Sequence, residues 1–123
     1  MTVRPTGAVT FLFSDIEGST KAWDTAPAAM PSVLARHDDL LRRAIEHNSG
    51  YVFATGGDGF AVAFTRAADA IAAAVDAQRA VRSEAWPAGL PIRVRMAINT
   101  GEVDERDGDY FGPAVNRTAR LMS

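Results

Sequence analysis

Two aspartates sit where a chain can do metal-assisted phosphate chemistry. Asp15 closes an apolar run, Val9 to Asp15, just ahead of the turn Gly18-Ser19-Thr20. Asp58 lies in Thr55-Gly56-Gly57-Asp58-Gly59-Phe60, a glycine-rich turn between two more short apolar runs. Carboxylates delivered by strand ends and tight turns suit a divalent cation, because Mg²⁺ takes few protein ligands and completes its shell with water and substrate phosphate. Two such ions about 3.5–4 Å apart clamp the attacking and leaving oxygens of an in-line displacement. The amides of Gly18, Ser19 and Thr20 open the helix that follows, and free amides at a helix N-terminus favour phosphate. Asp at a strand end is also a common turn or capping residue, so the pair alone leaves both roles open.

A second group of polar residues lies near the C-terminus. Gly108-Asp109-Tyr110-Phe111-Gly112-Pro113 leads into a helix carrying Asn116 and Arg120. Four residues apart, these two share one helical face and can converge on one ligand. The Arg fork matches phosphate, and Asn can orient a neighbouring hydroxyl. A solvated polar helix end is the plain alternative. Glu17 fits a turn residue better than a third metal ligand, and His37 and His47, beside charged neighbours on a long helix, read as solvated.

Hydropathy patterning marks out the strands and helices that carry these residues. Val9 to Asp15 reads as a buried strand, and a short helix covers Ser19 to Asp24 before Pro27. Met30 to Asn48 is the clearest helix, with Val33, Leu34, Leu40, Leu41, Ala44 and Ile45 as its apolar stripe. Tyr51 to Thr55 and Phe60 to Phe64 form a hairpin with Asp58 at its tip. Arg66 to Glu84 reads as a second amphipathic helix with Ile71, Ala74, Val75 and Val81 facing inward, ended by Trp86-Pro87. Ile92 to Asn99 is a strand whose Arg93 and Arg95 mark a wetter face. Glu102 to Gly108 reads as an acidic turn, and Trp23, Phe53 and Phe64 as core or interface residues. This order gives an α+β class with a ferredoxin-like β-α-β-β-α-β pattern between Val9 and Asn99.

With 123 residues the chain fits one domain, expected over residues 9–123 behind a lead of residues 1–8. A net charge of −2 gives no basic field, so nucleic acid is not an expected partner. The absence of cysteine excludes disulfides and thiolate metal sites and suits a cytoplasmic protein. No apolar run approaches the roughly 18 residues of a membrane span, so no membrane partner is expected.

Taken together, the motifs resemble the catalytic domain of class III adenylate and guanylate cyclases, from about Val9 to the last residue. Phe13-Ser14-Asp15-Ile16-Glu17-Gly18-Ser19-Thr20 is similar to the family's first metal motif, and Gly57-Asp58 to its second. Val115-Asn116-Arg117-Thr118-Ala119-Arg120 is similar to its transition-state motif, and Asp109 stands at the position that selects adenine in adenylate cyclases. The resemblance implies that the ribose 3′-hydroxyl of ATP attacks its own α-phosphorus, giving 3′,5′-cyclic AMP and pyrophosphate. It implies two Mg²⁺ or Mn²⁺ ions held by Asp15, Asp58 and the Ile16 carbonyl, with Arg120 stabilising phosphoryl charge and Asn116 positioning the ribose. It also implies a head-to-tail homodimer, since the family draws its metal aspartates from one subunit and its Asn, Arg and base-reading residues from the other.

Two features depart from the family pattern. Ala54 occupies the base-reading position where adenylate cyclases commonly carry Lys. Loss of one charge-assisted hydrogen bond there weakens recognition by roughly 1.5–3 kcal/mol and brings GTP into consideration as a substrate. The family fold normally continues into further strands, one bearing a basic triphosphate contact, so this domain reads as C-terminally short. Two other functions compete. A catalytically silent cyclase-like module that dimerises or senses nucleotide fits Ala54. A diguanylate cyclase fits Gly56-Gly57-Asp58-Gly59-Phe60 less well, because Gly59 replaces the signature glutamate and Asn116 and Arg120 are left without a role.

Overall fold

The structure is a computed structural model that describes residues 4–123; the first three residues of the expected lead lie outside the described residues. The chain runs β1 (Gly7–Ile16), α1 (Ser19–Thr25), α2 (Met30–His47), β2 (Tyr51–Gly56), β3 (Gly59–Phe64), α3 (Ala67–Ser83), β4 (Val94–Arg106), β5 (Asp109–Phe111) and α4 (Pro113–Met122). One antiparallel sheet carries the order β2-β3-β1-β4-β5, so β1 lies at its centre between β3 and β4. This is the expected α+β, ferredoxin-like arrangement, extended by β5 and α4. Gly7 and Ala8 already pair with Val103 and Glu102, so the sheet starts inside the expected lead.

Alternation along β1 feeds two cores. Leu12 and Ile16 face α2 and α3, where they pack with Met30, Leu41, Ile45, Val62 and Phe64. Phe11 and Val9 face the other way, into a smaller cluster with Ala63, Tyr110 and Ala114 of α4. Edge-on contacts join Phe11, Phe53 and Tyr110, with ring centroids 4.9–5.8 Å apart, a favoured aromatic geometry. Phe53 and Phe64 are therefore core residues, as expected, while Trp23 remains 37% exposed.

Three local expectations are corrected. His37 is fully buried rather than solvated; it belongs to the stripe Met30, Val33, His37, Leu40, Leu41, Ala44 and Ile45 and lies against the Phe60 ring. Its helical spacing outweighs its charged neighbours, and Nδ1 reaches the Asp38 carboxylate at 2.8 Å. In α3 the buried residues are Ala70, Ala73, Ala77 and Val81, while Ile71 and Val75 are 56% and 42% exposed. Alanines allow α3 to approach α2 and the sheet more closely than branched side chains would. The acidic stretch Glu102–Arg106 is strand, not turn: pairing with β1 runs to Val103, and the reversal is confined to Asp107 and Gly108 at φ 53° and 83°. Both central residues with positive φ define the tight hairpin turn that Asp-Gly favours. No helix among the described residues is long and apolar enough to cross a membrane.

Candidate functional site

Asp15 shares its face of β1 with Phe11 and Phe13, near the strand's C-terminal end. Its register partner on β4 is Arg95, and the two side chains meet directly. Arg95 Nε donates to one carboxylate oxygen at 2.8 Å and a terminal guanidinium nitrogen to the other at 2.6 Å. The hydrogen bond and charge of Asp15 raise the Arg95 pKa above its usual value, so the guanidinium stays protonated. Such two-pronged pairing is the geometry a guanidinium favours with a carboxylate.

Asp58 is carried to the same strand end by the β2–β3 hairpin. Gly57 takes φ 56°, the left-handed conformation required at the first central position of a two-residue hairpin turn, and Asp58 follows it. The Asp58 Oδ2 accepts the Ile16 amide at 2.9 Å. Gly59 allows this approach, because a Cβ there would stand 2.8 Å from the Ser14 carbonyl oxygen. The hairpin tip therefore rests on the backbone of Ser14–Ile16, and two carboxylates converge on one end of the sheet.

Ala54 reaches the same region through a bulge. The β2–β3 register shifts between Val52 and Ala54, so Ala54 pairs with Ala61, itself the partner of Phe13. A cleft of about 370 Å³ is lined by Phe13, Asp15, Ala54 and Thr55 together with Ala119 and Met122 of α4. The donor set fits a hard divalent cation: two carboxylates beside a strand-end carbonyl at Ile16, all oxygen. No cluster of three or more His, Cys, Asp or Glu occurs among the described residues, so a cation here would draw much of its shell from water and substrate.

The other candidate residues lie outside this cleft. Gly18 adopts φ 67° as the N-cap of α1, and Ser19 and Thr20 form the first turn of that helix. Asn116 and Arg120 are exposed on the side of α4 opposite its buried residues, Ala114 and Thr118. Neither lines the cleft, although Ala119 does. Asp109 is exposed at the start of β5, where its carboxylate accepts the Tyr110 amide at 2.8 Å. Glu17 lines a larger concavity of about 980 Å³ between α3 and the start of β4, with Arg79, Arg82 and Arg93. Sequence reasoning missed Arg95 as a site residue. Its wet-face position was legible, but its partner depended on the β1–β4 register.

The profile of the adenylate and guanylate cyclase catalytic domain matches residues 1–123, and the chain belongs to that family. An uncharacterized protein of Mycobacterium tuberculosis is 44% identical over 119 residues, covering 95% of this chain and 39% of the relative. An adenylate cyclase of Podospora anserina is 32% identical over 144 residues, covering 97% of this chain and 7% of the fungal protein. The chain thus spans well under half the length of these relatives. Among solved structures, an adenylate/guanylate cyclase/hydrolase from Silicibacter pomeroyi superposes with a TM-score of 0.75 at 34% identity, over 93% of this chain and 68% of that one. An adenylate cyclase from Trypanosoma brucei, in its monomeric state, superposes with a TM-score of 0.84 at 26% identity, over 94% and 68%.

Proposed function

We propose that this domain is a purine nucleotide cyclase that converts ATP to 3′,5′-cyclic AMP and pyrophosphate at a site completed by a second copy of the chain. The observation that carries this reading is the hydrogen bond from the Ile16 amide to Asp58, which holds a second carboxylate at the strand end occupied by Asp15. Asp15, Asp58 and the Ile16 carbonyl would hold Mg²⁺ or Mn²⁺, which when bound supplies Lewis-acid polarisation of phosphoryl oxygen and activation of a hydroxyl. In the reaction the ribose 3′-oxygen bonds to the α-phosphorus, its proton is released, and the bond to the β-phosphate oxygen breaks to release pyrophosphate.

The exposed Asn116 and Arg120 face away from their own sheet, which supports their service to a neighbouring copy. Arg120 would meet the charge that develops on the phosphoryl oxygens, a preorganised contact of the kind that dominates such catalysis. Asn116 would hold the ribose in line, and Asp109 would accept from the adenine amino group. Ala54 offers the base no donor, so selectivity over GTP is expected to be weak.

A second reading, a silent cyclase-like module, is favoured by Arg95, which occupies both oxygens of Asp15. The deciding assay follows cyclic AMP and cyclic GMP formation by the purified chain in Mn²⁺, against Asp58→Ala as control. Product above that control supports the cyclase. No product from a dimer that binds both Mn²⁺ and ATP supports the silent module.

A further inference from the structure

Strand β4 carries two residues toward α4 that have no role so far, Asn99 and Gly101. They share a strand face with Arg95, since alternate residues point the same way. Both converge on Ala114, in the first turn of α4. Asn99 Nδ2 donates to the Ala114 carbonyl at 3.3 Å, and the buried Thr118 hydroxyl donates to the same oxygen at 2.8 Å. Gly101 lies under the Ala114 side chain: a Cβ at position 101 would stand 2.6 Å from the Ala114 Cβ and 3.7 Å from its Cα. Gly101 is not among the residues with positive φ, so space rather than backbone conformation is what requires glycine there.

We propose that Asn99 and Gly101 are positioning residues whose joint grip on Ala114 fixes the height and rotation of α4, and with them the presentation of Asn116 and Arg120. One contact holds the carbonyl of Ala114 and the other its methyl group, so sliding and rolling are both opposed. Asn116 follows Ala114 by half a turn and Arg120 by one further turn, so the rigid helix transmits any displacement to both. Methyl groups rest about 3.5–4 Å apart, so an added methyl at position 101 must move α4 by on the order of 1 Å. A misplacement of that size costs about a hundredfold where reacting groups must be aligned. The same strand face holds Asp15 through Arg95, so β4 links the seat of α4 to the carboxylate end of the sheet.

The effect on turnover rests on the cyclase reading; the grip itself does not. The test compares the full chain with Gly101→Ala, Asn99→Ala and the size swap Gly101→Ala/Ala114→Gly, reading α4 amide chemical shifts by NMR alongside kcat and KM for ATP. Gly101→Ala should shift the amides of Asn116 to Arg120 and lower kcat about tenfold or more with little change in KM. Asn99→Ala should do the same more weakly, by about threefold, because it removes one long hydrogen bond. The swap should return both readouts toward the parent. A folded Gly101→Ala chain with unmoved α4 amides, or a swap that leaves them displaced, overturns the grip. If the parent makes no cyclic nucleotide, the cyclase reading fails, while the amide shifts and their reversal still decide the grip. If Gly101→Ala does not fold, Asn99→Ala and the swap variant decide it.

Discussion

Arg95 and Asp15 stand directly opposite each other in the β1–β4 ladder and are joined by hydrogen bonds of 2.8 and 2.6 Å. A cation that takes Asp15 must displace this guanidinium. Solvent screens an exposed ion pair and leaves it little net strength, so Arg95→Ala should tighten Mn²⁺ binding only modestly, by about a few fold. Titration of the nucleotide-free chain with Mn²⁺, followed by electron paramagnetic resonance, checks this; unchanged or weaker binding would show that the pair does not compete with the cation.

Gly59 sets the contact between the hairpin tip and β1. In Gly59→Ala the new methyl would meet the Ser14 carbonyl at 2.8 Å. Relief of that overlap costs about 1–3 kcal/mol and moves Asp58 off the Ile16 amide. The expected result is lower thermal stability together with weakened Mn²⁺ binding. Retention of both would mean that the hairpin adapts without losing the site.

The proposed division of the site between two copies predicts complementation. Asp15→Ala and Arg120→Ala chains should each be inactive, while their mixture regains activity in heterodimers that carry one intact site. Heterodimers shown to form, yet inactive, would refute a division of these residues between subunits.

Ala54 lies in the cleft with Asp15 and brings no hydrogen-bond donor. Ala54→Lys should raise the ratio of ATP to GTP turnover by about tenfold, the equivalent of one charge-assisted hydrogen bond. An active enzyme whose ratio does not move would remove position 54 from base recognition.

The buried Tyr110 hydroxyl donates to the Pro5 carbonyl at 2.8 Å, and burial, ahead of the Tyr51 and Glu105 charges, pushes its pKa up from 10.0 to about 12. The fold favours the protonated phenol, so its contribution is complete below pH 10 and is lost as pH rises through about 12. Denaturation midpoints should therefore fall across that interval. Tyr110→Phe should be less stable at neutral pH for want of the hydrogen bond, yet lose less between pH 10 and 12. A slope equal to that of the parent would assign the alkaline loss to other groups.

Elements with strong periodicity, and the turn chemistry that ends them, were readable from the residues alone. Alternation made β1 legible, the stripe from Val33 to Ile45 made α2 legible, and Gly57-Asp58 gave a hairpin tip with its carboxylate in place. These signals are local, since a period of 2 or 3.6 and a left-handed turn residue need no distant partner. The side of α3 that would be buried was not legible, because an alanine-rich helix is apolar over most of its surface and its contact face is chosen by how closely α2 and the sheet approach. The length of β4 was likewise decided by β1, which supplies pairing through an acidic segment that reads as loop in isolation. Tertiary structure also decided the environment of each candidate residue. The β1–β4 register set Arg95 on Asp15, the close approach at Gly59 brought Asp58 to Ile16, and burial of Ala114 and Thr118 left Asn116 and Arg120 on the outer face of α4. The Asp58–Ile16 and Arg95–Asp15 contacts join residues 42 and 80 positions apart along the chain, and no local pattern encodes contacts of that range.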